Sequence, residues 1–205
     1  MPEVVTVYFD YLCPFAWRGA EVAQVVEARL GLRFVWRHFS LYQSNYEGDD
    51  SWQLWNEPID ALDDMGTKGL LPFLASCAAR CQGEALHHTF RLNLLRSRHE
   101  QGQNFTLDTV RDVAASSGLH LPRFERDLAN PECRTLLARE HSEAQALDVF
   151  GTPTFHFSSG HLAYFRIAQL PKTTEEAVGL FSDYRHMLET YPYLQTLKRP
   201  RPLRS

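Results

Sequence analysis

The chain has 205 residues, of which 44% are hydrophobic and 22% charged, with a net charge of −4. That is enough sequence for one core, or one core carrying a sizeable insertion. The balance lacks the basic footprint of a nucleic-acid binder, no stretch approaches the roughly 18 apolar residues of a membrane span, and four cysteines (13, 77, 81 and 133) are too sparse for a disulfide scaffold. Met1-Pro2-Glu3 leads straight into an apolar run without a basic start or cleavage site, so no secretory signal is read and a reducing cytoplasm is the expected compartment. The short basic tail KRPRPLRS reads as a frayed end.

Val4–Phe9 is an unbroken apolar run rich in β-branched and aromatic residues, which suits a strand buried on both faces. A turn follows, and Cys13-Pro14 opens a helix expected to run to Leu30. Proline costs nothing at the first helical position, where its missing N–H would be an orphan. Phe15, Trp17, Ala20, Ala23, Val26 and Leu30 share its broad apolar face, and Gly31 is a natural terminator. Arg33–Phe39 reads as the next strand, so strand, helix and strand form a βαβ unit with parallel strands.

This arrangement puts Cys13 at a helix N-terminus and at the carboxyl edge of a strand, where free N–H groups and the helix dipole favour a thiolate. A free thiol with a pKa near 8.5 is only about 3% ionised at neutral pH. Reaching a pKa of about 6 takes ~3.4 kcal/mol of selective stabilisation, more than a helix end usually supplies. Position makes Cys13 a candidate nucleophile; the competing reading is a buried, inert cysteine.

From Leu41 to about Glu57 the pattern is lost, and Asn45, Gly48, Asp49, Asp50 and Pro58 mark loop and turn. The aromatics Tyr42, Tyr46, Trp52 and Trp55 either line a cleft or pack this loop onto the body. Roughly 60 to 147 reads as helical, with helices near 72–82, 85–99, from Thr106 to Ser117, and over 121–130 and 131–147. Thr154–Phe157 and His161–Arg166 form a hairpin about Ser158-Ser159-Gly160, and Thr173-Thr174-Glu175-Glu176 is a capping box opening a last helix to about 190. An all-helical block set between the βαβ unit and the remaining strands is an insertion into an α/β frame. Pro153 stands directly before a strand, and local physics favours a trans bond there, since only about 5–6% of X–Pro bonds in folded proteins are cis.

Phe9-Asp10-Tyr11-Leu12-Cys13-Pro14, Val35-Trp36-Arg37-His38-Phe39, the stretch from Asn104-Phe105-Thr106 to Gly118-Leu119, and Phe150-Gly151-Thr152-Pro153-Thr154-Phe155 stand in this order along the chain. In order and spacing they resemble the DsbA family of the thioredoxin fold. The likeness is to its FrnE-like oxidoreductases, relatives of kappa-class glutathione transferases and 2-hydroxychromene-2-carboxylate isomerases. The resemblance implies an α/β, thioredoxin-like fold with a large all-helical insertion, its parts falling at 1–57 and 148–205 (thioredoxin-like) and 58–147 (helical). It implies a cis Pro153 facing a reactive Cys13, with Thr152 offering backbone groups to a bound peptide or glutathione. Pro14, Phe15 and Trp17 join Thr152 and Pro153 as expected substrate-binding residues.

One departure bears on the chemistry. Redox-active members of the family carry Cys-x-x-Cys, whereas this chain reads Cys13-Pro14-Phe15-Ala16. A dithiol enzyme attacks with one sulfur and releases the mixed disulfide with the other, a step that Ala16 cannot perform. Cys77 and Cys81 are four apart on an expected helix and face the same way, as a redox pair, half of a metal site or two small core residues; no further ligand at suitable spacing accompanies them, so no metal is expected. Cys133 reads as structural. His38 ends the second strand, where active-site groups of α/β sheets gather, and is a candidate thiolate partner.

The expected activity is therefore thiol–disulfide exchange by a single cysteine, with no tightly bound cofactor and with glutathione as co-substrate. The partners are a small thiol or a peptide or protein disulfide, with neither nucleic acid nor membrane. A glutathione-dependent transferase or isomerase, and a non-catalytic binding relative, remain as alternatives.

Overall fold

The structure, a computed structural model, describes residues 2–59 and 68–199. Four strands lie in the order β2-β1-β3-β4, with β1 Glu3–Phe9, β2 Leu32–His38, β3 Thr154–His156 and β4 Leu162–Tyr164. β1 and β2 are parallel, in register from Glu3 opposite Leu32 to Phe9 opposite His38, while β1–β3 and β3–β4 are antiparallel. β1 is flanked on both edges and covered on both faces, and accordingly Val5, Val7, Tyr8 and Phe9 are all buried.

Helix α1 (Pro14–Leu30) begins at Pro14 and ends against Gly31, whose φ of 62° is the left-handed conformation that glycine adopts without a Cβ clash. Its buried residues are Ala16, Gly19, Ala20, Val22, Ala23 and Val26, whereas Phe15, Trp17 and Leu30 are only half-buried. The expected apolar face is thus rotated. α1 is packed between the sheet, α4 (Glu84–His99) and α8 (Thr174–Thr190), and small side chains let these neighbours approach. Beneath α8 an aromatic cluster closes the core, with Phe155 and Phe181 ring centroids 5.4 Å apart and Phe34 at 5.9 Å from Phe155.

α2 (Leu41–Ser44) lies where a loop was expected: Ser40 Oγ accepts the Gln43 N–H and so nucleates a single turn. A 3-10 turn follows at Leu54–Asn56. The helical block comprises α3 (Leu70–Arg80), α4, α5 (Leu107–Ser116), α6 (Leu121–Leu128) and α7 (Pro131–Ala146). The helical reading of 60–67 falls outside the described residues. Thr106 and Thr173 cap α5 and α8 through the N–H groups of Thr109 and Glu176. The return arm of the expected capping box differs, since Glu176 accepts from Lys172 rather than from Thr173.

A buried carboxylate joins the block to β2. Glu140 on α7 is fully buried and lies 2.9 Å from Arg37 and 2.7 Å from Arg80, and it accepts the His38 backbone N–H at 2.8 Å. Burial alone would raise this carboxyl, but His38, Arg80 and the His38 N–H together hold it well below the usual carboxylate range.

Candidate active site

The loop between β1 and α1 is fixed by Asp10. Its Oδ1 accepts the Leu12 N–H at 2.8 Å, its Oδ2 accepts the Leu41 N–H at 2.7 Å, and its carbonyl accepts the Cys13 N–H at 3.1 Å. Asp10 is fully buried, and desolvation lifts its pKa to about 6 against the two N–H donors that lower it. Cys13 occupies the N-cap position of α1, with Pro14 as the first helical residue, and its carbonyl accepts the N–H groups of Ala16 and Trp17.

The Cys13 thiol points across the molecule to the loop before β3. Sγ donates to the Thr152 carbonyl at 3.2 Å, and the Thr152–Pro153 bond is cis. The trans bond favoured by local physics is therefore replaced by the cis bond that the family resemblance implied. A groove of about 340 Å³ runs over the sulfur, lined by Leu12, Cys13, Pro14, Phe15, Leu41, Phe150, Gly151, Thr152 and Tyr164. Phe150, 72% exposed, forms an outer wall and meets Tyr164 edge to face at 5.7 Å. Leu12 and Leu41 also line an adjoining groove with Asp10, Tyr42, Asn45, Tyr46 and Glu47. Of the two readings of the loop aromatics, Tyr42 and Tyr46 thus line a cleft, while Trp55 is buried and Trp52 packs on Tyr46 at 4.3 Å.

The electrostatics depart from the sequence expectation of a depressed thiol pKa. Cys13 is only 5% exposed, and burial pushes its pKa up. The Thr152 side chain and the N–H groups of Ala16 and Phe15 pull the other way, and the Asp10 charge adds to the rise. The Thr152 hydroxyl is buried without a hydrogen-bond partner, so it is a donor held in reserve beside the sulfur. The groups favouring a thiolate are in place but outweighed by desolvation.

Of the expected site residues, the structure gathers Cys13, Pro14, Phe15 and Thr152 around one groove. Pro153 sits behind, against Gly19, and its carbonyl accepts the Phe165 N–H. Trp17 stands apart, stacked on His99 at 6.1 Å and donating Nε1 to Glu21. His38 is not a thiolate partner. Its Nε2 is 2.9 Å from Ser76 Oγ and its Nδ1 is 2.9 Å from Glu140 Oε2, so neither ring nitrogen is left for the sulfur. Desolvation lowers its pKa, more strongly than the Glu140 carboxylate raises it. Cys77 and Cys133 are buried, but Cys81 is exposed at the end of α3, which rules out the reading of Cys77 and Cys81 as two core residues. No group of three or more His, Cys, Asp or Glu among the described residues is arranged to hold a metal. Likewise no helix among them is long and apolar enough to cross a membrane.

Asp10, Leu41, Phe150 and Tyr164 are site residues that sequence reasoning did not single out. Phe150 and Asp10 stood within quoted motifs, three residues from Pro153 and Cys13 respectively. Tyr164 carried no local signal.

A helix-capping cysteine facing a cis-proline loop on a β-α-β, β-β frame defines a thioredoxin-like protein. The model of the DSBA-like thioredoxin domain matches residues 4–68 and 71–174, and the chain belongs to that family. No curated protein matches it. Among solved structures it is similar to a thioredoxin-like oxidoreductase from Silicibacter pomeroyi, with 25% identity over 88% of this chain and 86% of that one and a TM-score of 0.56. The cytosolic disulfide reductase DsbM from Pseudomonas aeruginosa, solved with GSH, shares 18% identity over 93% and 100% at a TM-score of 0.60. A 2-hydroxychromene-2-carboxylate isomerase shares 15% over 94% and 100% at 0.63, and these last two likenesses speak to the fold alone.

Proposed function

We propose that this chain catalyses thiol–disulfide exchange through Cys13 alone, by a route completed by glutathione or a similar small thiol. The observation that carries the reading is the Cys13 sulfur held 3.2 Å from the Thr152 carbonyl inside an open groove. Deprotonated Cys13 attacks one sulfur of a substrate disulfide, forming a mixed disulfide and releasing the other half as a thiolate. The Thr152 hydroxyl and the helix N–H groups stabilise the attacking sulfur. Substrate backbone lies against the Thr152 loop in the manner of an added strand.

Ala16 offers no second sulfur, so an external thiolate attacks the mixed disulfide. That step restores Cys13 and transfers the substrate sulfur to glutathione; one disulfide is consumed and one formed, with no net electron change. A reducing cytoplasm supplies the thiol.

The raised thiol pKa favours a second reading, in which Cys13 S–H donates a hydrogen bond to glutathione's own thiolate, as in a glutathione-dependent transferase or isomerase. Titration in glutathione redox buffer, read by intact mass on wild type and Cys13→Ser, separates the two. A glutathione adduct on wild type but not on the variant supports exchange. Tight binding without adduct supports the transferase, and an unmodified, non-binding Cys13 sinks both.

A further inference from the structure

Two arginines meet on one ring at the lip of the groove. The Arg166 guanidinium carbon lies 3.9 Å from the centroid of Phe15, and that of Arg18 lies 5.5 Å from the same centroid. Phe15 lines the groove together with Cys13. Arg166 is exposed and also neighbours Tyr164 on the groove wall. Among the described residues neither arginine makes a salt bridge with a carboxylate, whereas Arg37, Arg80, Arg96 and Arg185 are each paired within 3 Å. The Asp10 carboxylate is buried, with both oxygens turned to backbone N–H groups, and leaves these cations uncompensated. On a chain whose net charge is −4, this is a local concentration of positive charge beside the one groove cysteine.

A guanidinium stacked on a ring uses its face for packing and keeps its in-plane N–H fork for a planar anion. We propose that Arg166, with Arg18, forms a carboxylate-recognising rim, and that the disulfide taken up at Cys13 carries a carboxylate close to its sulfur. This rests on the reading of Cys13 as the exchanging thiol. Binding places the carboxylate against the guanidinium and the disulfide over the sulfur. The same positive charge then favours the thiolate that leaves. Neutral and cationic disulfides gain nothing from the rim.

The test measures the rate of mixed-disulfide formation at Cys13 with three probes: glutathione disulfide (anionic), bis(2-hydroxyethyl) disulfide (neutral) and cystamine (cationic). Wild type is compared with Arg166→Gln, Arg166→Lys and Arg18→Gln/Arg166→Gln. The rate with glutathione disulfide, relative to the neutral probe, falls about fivefold in Arg166→Gln and further in the double variant. Arg166→Lys retains part of it, cystamine gains relative to the neutral probe, and added salt compresses the wild-type preference. An unchanged ratio in the double variant, or an equal fall for all three probes, overturns the rim while leaving exchange at Cys13 intact. Failure of wild type to react with any of the three overturns the underlying reading of Cys13, and the rim with it.

Discussion

Gly19 and Pro153 touch so closely that no side chain fits between them. A Cβ built on Gly19 would lie 2.6 Å from Pro153 Cγ. Glycine inside a helix costs about 1 kcal/mol relative to alanine, so its place in the middle of α1 needs a reason, and the proline against it is that reason. Gly19→Ala gains the helical preference but forces α1 and the Thr152-Pro153 loop apart. The expected net effect is a loss of about 1–3 kcal/mol in stability, as for other overpacked cores, with faster alkylation of Cys13 as the loop that buries its sulfur and accepts its S–H moves away. Urea unfolding and iodoacetamide kinetics measure the two; a more stable variant with unaltered alkylation contradicts the account.

Thr152 presents two oxygens to Cys13 with opposite effects. The carbonyl accepts the S–H and favours the thiol, while the otherwise unpartnered hydroxyl favours the thiolate. Thr152→Val keeps the shape and the carbonyl but removes the hydroxyl. The Cys13 pKa should rise further, and reactivity at neutral pH should fall by about three- to tenfold. The alkylation rate against pH gives both, and a midpoint equal to that of wild type would show that the hydroxyl is idle.

Asp10 couples the thiol to pH. Its pKa is lifted to about 6, so the carboxylate is ionised at neutral pH and its charge opposes thiolate formation. Asp10→Asn removes that charge, and the Cys13 pKa should fall. The stability effect has a definite sign. A carboxyl whose folded pKa exceeds its ordinary 3.8 stabilises the fold at low pH, and that contribution is lost as pH rises through about 6. The full difference is about 3 kcal/mol, so unfolding free energy measured from pH 4 to 7 should decline less in the Asp10→Asn variant than in wild type. An identical pH slope in both argues against a buried, titrating Asp10.

The frame of this fold is legible because its signals are local. The Val4–Phe9 run, Pro14, Gly31, Thr106 and Thr173 act within a turn or two of themselves, and each sits where its own chemistry requires. The place of Cys13 at the start of α1 was legible for the same reason. What stayed hidden depends on distant residues. His38 reads as a candidate thiolate partner until Glu140, 102 residues away, is brought to its backbone and ring. The direction of the Cys13 pKa is set by how tightly the 150–153 loop closes over the sulfur, which no helix-dipole estimate contains. The geometry at Pro153 belongs with these, since local preference points to trans and only the family likeness to cis. Tyr164 reaches the site through hairpin register, and one step along β4 would turn it to the opposite face, while Arg166 lies two residues beyond the end of that strand.

Glu140 supplies the sharpest test of how the helical block is joined to the sheet. Its carboxylate serves Arg37, Arg80 and the His38 N–H, and Arg80 is itself largely buried. Glu140→Gln leaves Arg80 without its counter-charge in a low-dielectric setting, where breaking one side of a buried pair costs about 3–5 kcal/mol. Because the folded carboxyl is held below its ordinary value of 4.5, wild type has the full contribution above that pH and loses it on acidification below it. The variant should therefore be much less stable than wild type at pH 7, with the gap narrowing as pH falls below about 4.5. Guanidinium unfolding at pH 7 and pH 3.5 reads both quantities. A gap that stays constant across that range would mean that Glu140 acts by packing rather than by charge.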